Sequence, residues 1–146
     1  MNDDCVVDAS VGIKLFLLEE LADHAHTLFS RLTGVPPSRL FVPDLFFVEC
    51  TNILWKYSRR YNYPLDNAQQ NIADLISLPL HVVSTAELVQ DALSLAGRYE
   101  ITAYDAVYVA LGHRLGLPFI TADEKLVRKL SKAGIDIRDL GEFASS

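Results

Sequence analysis

Four acidic residues, Asp8, Glu49, Asp105 and Asp123, stand where a carboxylate is either costly or conspicuous. Asp8 closes the apolar run Cys5-Val6-Val7, and Asp123 follows Phe119-Ile120-Thr121; both runs are short and rich in β-branched or aromatic residues, as strands are. In residues 45–61, turning each position by about 100° puts Glu49, Asn52 and Lys56 on one stripe of an otherwise apolar helix. Asp105 has Tyr108, Val109 and Gly112 as its helical neighbours in a segment that is apolar nearly all round. A carboxylate there is costly unless it is paired, hydrogen-bonded or bound to a cation. Each acid also has a purely structural explanation. Asp8 or Ser10 can cap a helix, Asp123 can cap the next one, and Thr121/Glu124 and Thr102/Asp105 have capping-box spacing. The Glu49 stripe can simply face water.

The elements that must position these residues alternate. Strands are expected at 5–8, 40–42, 80–83 and 119–121, with a fifth at 135–138. Helices are expected from about residue 11 and over 21–32, 45–61, 65–78, 102–115 and 124–133. A further helix ends at Tyr99, opened by Ser84 and Glu87 at capping-box spacing. Gly34-Val35-Pro36-Pro37, Pro43, Gly116 and Gly134 stop successive elements. Such alternation is the mark of βαβ units, so the class is α/β with a parallel sheet.

A parallel sheet gathers strand carboxyl ends and the following helix amino ends on one edge, where ligands bind. Two of the acids lie at strand carboxyl ends and two on helices near their amino ends. Four carboxylates meeting there would repel one another and raise their own pKa values unless something positive sat between them. Oxygen ligands of this kind suit Mg²⁺ or Mn²⁺ better than Zn²⁺. A cation so held polarises a phosphoryl oxygen and activates water for in-line attack on phosphorus, which makes phosphodiester hydrolysis the leading reaction.

Composition limits the alternatives. The chain has 146 residues, 50% hydrophobic and 22% charged, with mean hydropathy +0.18. At about 150 residues per domain this is one domain, residues 1–146, long enough to bury about 68–70% of its unfolded surface without disulfides or structural metal. Disorder is excluded by that apolar content. No apolar run approaches the roughly 18–20 residues of a membrane span, and the acidic residues near Met1 are unlike a secretory signal, so a cytoplasmic location is expected. Cys5 and Cys50 read as buried thiols, and His24, His26, His81 and His113 follow no metal-binding pattern. The net charge is −6, which argues against gripping nucleic acid through bulk positive potential. Setting aside the four site carboxylates takes it from −6 to −2, so the rest of the surface is nearly neutral. Two basic groups stand out on helices: Lys125, Arg128, Lys129 and Lys132, and Lys56, Arg59 and Arg60 beyond Glu49. Either group is able to hold a phosphate backbone or to be an ordinary solvated face.

The blocks Val7-Asp8-Ala9-Ser10, Glu49-Cys50-Thr51-Asn52, the stretch from Thr102 to Leu111, and Thr121-Ala122-Asp123-Glu124-Lys125-Leu126 occur in the order and spacing of a known family. From Val6 to about Leu140 the chain resembles the PIN-domain nucleases, in particular the single-domain VapC-like toxins of toxin–antitoxin pairs. The resemblance implies a three-layer α/β/α sandwich around a central parallel sheet of four or five strands. It implies endonucleolytic cleavage of RNA with Mg²⁺ or Mn²⁺. Asp8, Glu49, Asp105 and Asp123 align with the family's acidic quartet, and Ser10, Asn52 and Thr121 with its supporting polar residues. Asp8 and Asp105 are then direct metal ligands, while Glu49 and Asp123 ligate directly or through water and help activate the attacking water. A homodimer and a cognate antitoxin whose tail blocks the metal cleft are also implied. One departure is Gly112, where the pattern usually has alanine, a change that touches packing rather than chemistry.

Other readings fit less well. An aspartyl-phosphate phosphatase wants a second acid two residues after its nucleophile, where this chain has Ser10. A receiver domain wants an acid pair at the first strand, and Asp3-Asp4 precede it. The remaining alternative is a non-catalytic RNA- or protein-binding module of the same fold, with the acids serving as caps.

Overall fold

A computed structural model describes residues 3–142; the ends of the expected 1–146 domain lie outside the described residues. The chain opens with β1 (Cys5–Val7), whose three residues are fully buried, and passes through the short α1 (Ala9–Gly12) into a 3₁₀ turn at Ile13–Leu15. α2 (Ala22–Ser30) leads to β2 (Leu40–Pro43), and α3 (Leu45–Tyr61) and α4 (Leu65–Ser77) lead to β3 (His81–Val83). α5 (Val89–Tyr99) and α6 (Ala103–Leu115) form a hairpin before β4 (Phe119–Thr121), after which α7 (Glu124–Ser131) runs to β5 (Ile137–Asp139).

All four strand pairings are parallel, in the order β3-β2-β1-β4-β5. The helices flank this sheet, giving the expected three-layer α/β/α arrangement. The chain winds outward from β1 through β2 to β3, then returns to β4 on the other side of β1 and continues to β5. The switch in direction therefore falls between β1 and β4, and in open parallel sheets a crevice forms beyond the strand carboxyl ends at such a point.

α6 packs on β1, β2 and β4, and every residue from Ala106 to Gly112 is buried. This accounts for the absence of a polar stripe in its sequence. Thr102 caps it by accepting from Asp105 N at 3.1 Å, and Gly116 ends it at φ +66, a conformation that suits glycine. Glycine at 112 lets the returning chain close over the helix: Leu117 N donates to Gly112 O at 3.0 Å, and a Cβ would lie 3.0 Å from Leu117 O. Gly112 thus acts on packing, as expected from the sequence.

Several boundaries differ from the sequence reading. The Ser84–Glu87 capping box does not form: Ser84 makes no side-chain cap bond, and Thr85–Glu87 is a 3₁₀ turn ahead of α5. Thr85 instead binds Asp44 through both its N–H and its hydroxyl and accepts from Leu45 N at 3.1 Å. A cross-link between the starts of two helices outcompetes the local cap. β5 begins at Ile137 rather than 135, because Ile135 N and Ile137 N are used in local turns, bonding Leu130 O and Ile135 O at 3.1 and 2.9 Å.

Gly12 and Gly97 make opposite demands. A Cβ on Gly12 would sit 2.5 Å from Cζ of the fully buried Phe46, whereas one on Gly97 meets nothing within 4 Å. Gly12→Ala is expected to lower stability by about 1–3 kcal/mol through overpacking, and Gly97→Ala to raise it by about 0.5–1 kcal/mol through helix propensity. Urea unfolding of the two variants measures both signs.

Candidate active site

Val7 pairs with Ile120 across β1 and β4, so Asp8 and Thr121 leave the sheet side by side at the switch point. Asp8 is only 7% exposed and Thr121 fully buried. Thr121 Oγ1 donates to Asp8 Oδ2 at 2.6 Å, and Ser10 Oγ donates to Asp8 Oδ1 at 2.5 Å. Each hydroxyl has a single proton, so both then act as acceptors toward the next segment: Ala122 N donates to Ser10 Oγ at 3.0 Å and Asp123 N to Thr121 Oγ1 at 3.2 Å. Val11 N adds a longer bond to Asp8 Oδ1 at 3.3 Å, making Asp8 the N-cap of α1.

The other acids arrive from three helices. Glu49 projects from the second turn of α3, and its Oε1 accepts from Tyr108 Oη at 2.5 Å. Tyr108 is itself 1% exposed and stacks on Phe119, ring centroids 5.6 Å apart. Asp105 lies in the first turn of α6, and Asp123 caps α7 by accepting from Leu126 N on Oδ1 at 3.1 Å. Asp8, Glu49, Asp105 and Asp123, with Ser10 and Asn52, line one hollow of about 240 Å³. Thr121 stands behind it as the support of Asp8. The cap and cleft readings are therefore compatible: Asp8 and Asp123 cap helices and face the hollow at once.

Charge is poorly compensated there. Burial pushes the Asp8 carboxyl up to about 6 against its three hydrogen bonds, with the Asp105 charge adding to the rise. Burial also raises Glu49, opposed by the Tyr108 bond and reinforced by Asp105. Asp105 is raised by burial first and by Asp123 second. Among the described residues no salt bridge reaches any of the three. The donors are all oxygens, mostly carboxylates, which fits a hard divalent ion. Among the described residues no three acidic, thiol or imidazole side chains form a ready-made ligand cluster.

Tyr108 was not among the residues singled out from sequence, although it lies one helical turn beyond Asp105. In a segment apolar all round, a tyrosine reads as core, and only the structure shows its hydroxyl reaching α3. Cys5 and Cys50 are buried free thiols, as expected, with their pKa values raised by burial. A larger hollow of about 360 Å³ opens at the amino ends of β4 and β5, beside Phe119, Ile135 and Asp136, and holds none of the four acids.

Residues 5–132 match the PIN domain family. Ribonuclease VapC3 of Pyrobaculum aerophilum is 36% identical over 126 residues, covering 85% of this chain and 92% of that protein. Among solved structures, PAE2754 from Pyrobaculum aerophilum superposes with a TM-score of 0.71 at 25% identity, covering 97% of this chain and 93% of its own. A toxin–antitoxin complex from Klebsiella pneumoniae contains a chain of the same fold, with a TM-score of 0.63 at 16% identity over 94% of this chain and 98% of that one.

The Asp8 carboxyl titrates near 6 in the folded protein against 3.8 ordinarily, so folding takes up a proton between those values. Its favourable contribution is complete below about pH 4 and is lost as the pH rises through about 6. At pH 7 in the absence of divalent ions the buried charge costs about 3 kcal/mol. Asp8→Asn, compared with the parent chain in EDTA, is expected to gain more than about 1 kcal/mol of relative stability between pH 5 and pH 7. A difference independent of pH, measured by urea unfolding, would contradict this assignment.

Proposed function

The chain belongs to the PIN-domain family, and from that premise we propose that it is a metal-dependent endoribonuclease, the toxin of a toxin–antitoxin pair. The observation that carries the reading is the placing of four carboxylates from four segments around one small hollow at the sheet's switch point. An identity of 36% to a ribonuclease over most of both chains supports the same activity.

In this reading Asp8 and Asp105 hold a Mg²⁺ or Mn²⁺ ion directly, and Glu49 and Asp123 hold it directly or through water. When bound, the ion polarises the scissile phosphoryl oxygen and lowers the pKa of a nearby water. Asp8 is kept in one rotamer by Ser10 and Thr121. The Tyr108 bond occupies Glu49 Oε1, leaving Oε2 to take the proton of the attacking water. The raised pKa of Glu49 brings it closer to that of an effective base at neutral pH. Asp123 is held on Oδ1 by Leu126 N, which leaves its second oxygen for the same task, and Asn52 supplies a neutral amide in the lining of the hollow.

The partners in this reading are an RNA substrate, a second copy of the chain and an antitoxin whose tail occupies the cleft. The chain of like fold in a toxin–antitoxin complex supports the antitoxin. Among the described residues no helix is long and apolar enough to cross a membrane, and the cytoplasm is the proposed location. One observation favours a second reading, a binding module of the same fold: Asp8 and Asp123 both do structural work as caps.

Metal and cleavage separate the two. Mn²⁺ at about 100 times its Kd is expected to stabilise the fold by about 2.7 kcal/mol, an increment that EDTA reverses and Asp105→Asn largely abolishes. RNA cleavage is expected to vanish in EDTA and to fall by more than about 100-fold in Asp105→Asn, beyond the usual cost of losing a ligand's supporting partner. No stabilisation and no cleavage would leave the binding module.

Tyr108→Phe keeps the stack on Phe119 and removes only the hydroxyl. It is expected to reduce cleavage or Mn²⁺ affinity by about 10–100-fold with little change in melting temperature. Unchanged metal titration and kinetics would show that the bond to Glu49 is incidental.

A further inference from the structure

The acidic hollow, about 240 Å³, is smaller than the roughly 300–1,000 Å³ clefts that enclose small ligands. It accommodates a phosphate group and its surroundings, and the nucleotides on either side must lie elsewhere. Along α3 the surface changes character. Ile53 lines both the acidic hollow and a second one of about 430 Å³, walled by Lys56, Tyr57, Arg60 and Tyr61. Lys56 and Arg60 continue with Arg59 into a third hollow. Helical geometry sets Lys56 and Arg60 about 10 and 16 Å along the axis from Glu49 and within about 20° of its direction.

The chemistry of this tract is that of a single-stranded nucleic-acid track, cations beside aromatic faces. Tyr61 is 58% exposed, and the Arg60 guanidinium lies 5.3 Å from its ring centroid. Arg59 is similarly placed 5.7 Å from the Trp55 ring. Among the described residues Lys56, Arg59 and Arg60 form no salt bridge. Glu19, an acid on the wall of the second hollow, is paired with Lys14 at 3.8 Å. In the other basic group Lys129 is tied to Glu100 O at 2.8 Å, while Lys125, Arg128 and Lys132 likewise form no salt bridge among the described residues. What sets the α3 group apart is its hollow, which shares Ile53 with the acidic one.

We propose that the hollow at the carboxyl end of α3 is a subsite for the RNA strand next to the scissile phosphate, with Lys56 and Arg60 taking backbone phosphates and Tyr61 stacking a base. The inference rests on the ribonuclease reading of the adjoining pocket. It gives an acidic protein a local means of holding a polyanion and decides between the two basic groups in the sequence.

The test uses a fluorescently labelled oligouridylate and the full-length chain carrying Asp105→Asn, which is expected to bind without cutting. Adding Lys56→Gln and Arg60→Gln is expected to weaken binding at least tenfold at low salt. It should also flatten the slope of log K against log salt by about 1.4, the value for two lost phosphate contacts on a single strand. Tyr61→Leu should weaken binding with the slope intact, whereas Arg128→Gln on α7 with Lys132→Gln just beyond its end should change neither quantity. In the otherwise native chain the α3 pair should raise KM and leave kcat within about twofold.

Unchanged affinity and slope in the α3 pair, or a loss that appears in the α7 pair instead, overturns the proposal. So does unchanged RNA binding accompanied by weakened binding of polyglutamate, which makes the tract a protein-docking surface. If the α3 pair loses RNA binding as expected but the native chain cuts no RNA in Mn²⁺, the nuclease reading falls and takes with it the placing of this tract beside a scissile phosphate, leaving an RNA-binding surface only.

Discussion

The charge of Asp8, buried at the boundary between β1 and β4, is the constraint around which the rest of the site is organised. A carboxylate in that position is expensive, and two hydroxyls are committed to it: Ser10 from α1 and Thr121 from the neighbouring strand. Their acceptor sides are filled in turn by the backbone of Ala122 and Asp123. The network thereby sets the path of the segment that brings Asp123 to the hollow. Even so, Asp8 remains pushed up to about 6, so the hydrogen bonds reduce the cost of burial without cancelling it. A second copy of negative charge nearby, on Asp105, makes the balance worse. In the proposed reading a bound cation offsets this cost, and stability given up at an active site in this way is a common cost of function.

Capping and chemistry share atoms here for a geometric reason. In a parallel sheet, a residue that leaves the carboxyl end of a strand is commonly the one that starts the next helix. A short acidic side chain at that position can reach back to the helix N–H groups with one oxygen and outward with the other. Asp123 does this with Oδ1 on Leu126 N. Helix amino ends also favour negative charge, so three of the acids sit where their ionised form is helped by the fold. Glu49 is the exception, in the second turn of α3, and it needs Tyr108 from α6 to fix it.

Much of this was legible in the sequence because the relevant signals are local. β4 and α3 have the expected limits, since a three-residue apolar strand between Pro118 and Ala122, and a long stripe ended before Asn62, leave little freedom. The acids could be assigned to strand ends and helix starts for the same reason, and the α/β class then placed them on one edge. What escaped depended on partners remote in the chain. Ser84 and Glu87 have the spacing of a cap, but Thr85 is drawn to Asp44, forty-one residues away. Tyr108 looked like core because it is core, with one polar atom emerging opposite Glu49, and no periodicity encodes that meeting.

The surface charge shows the same limit. Net charge counts acids and bases without location, and −6 taken alone opposes the binding of a polyanion. Location reverses the conclusion. Carboxylates gathered in one hollow create the demand for a cation, and the same α3 helix that carries Glu49 presents Lys56 and Arg60 on nearly the same face two and three turns later. Screening over about 8–10 Å at ordinary ionic strength separates these two regions electrostatically. In the proposed reading each acts on its own part of a bound strand, one at the reacting phosphate and the other on its neighbours. An acidic chain can thus hold a polyanion provided that the cations stand about one screening length from the carboxylates, and the pitch of α3 supplies that separation.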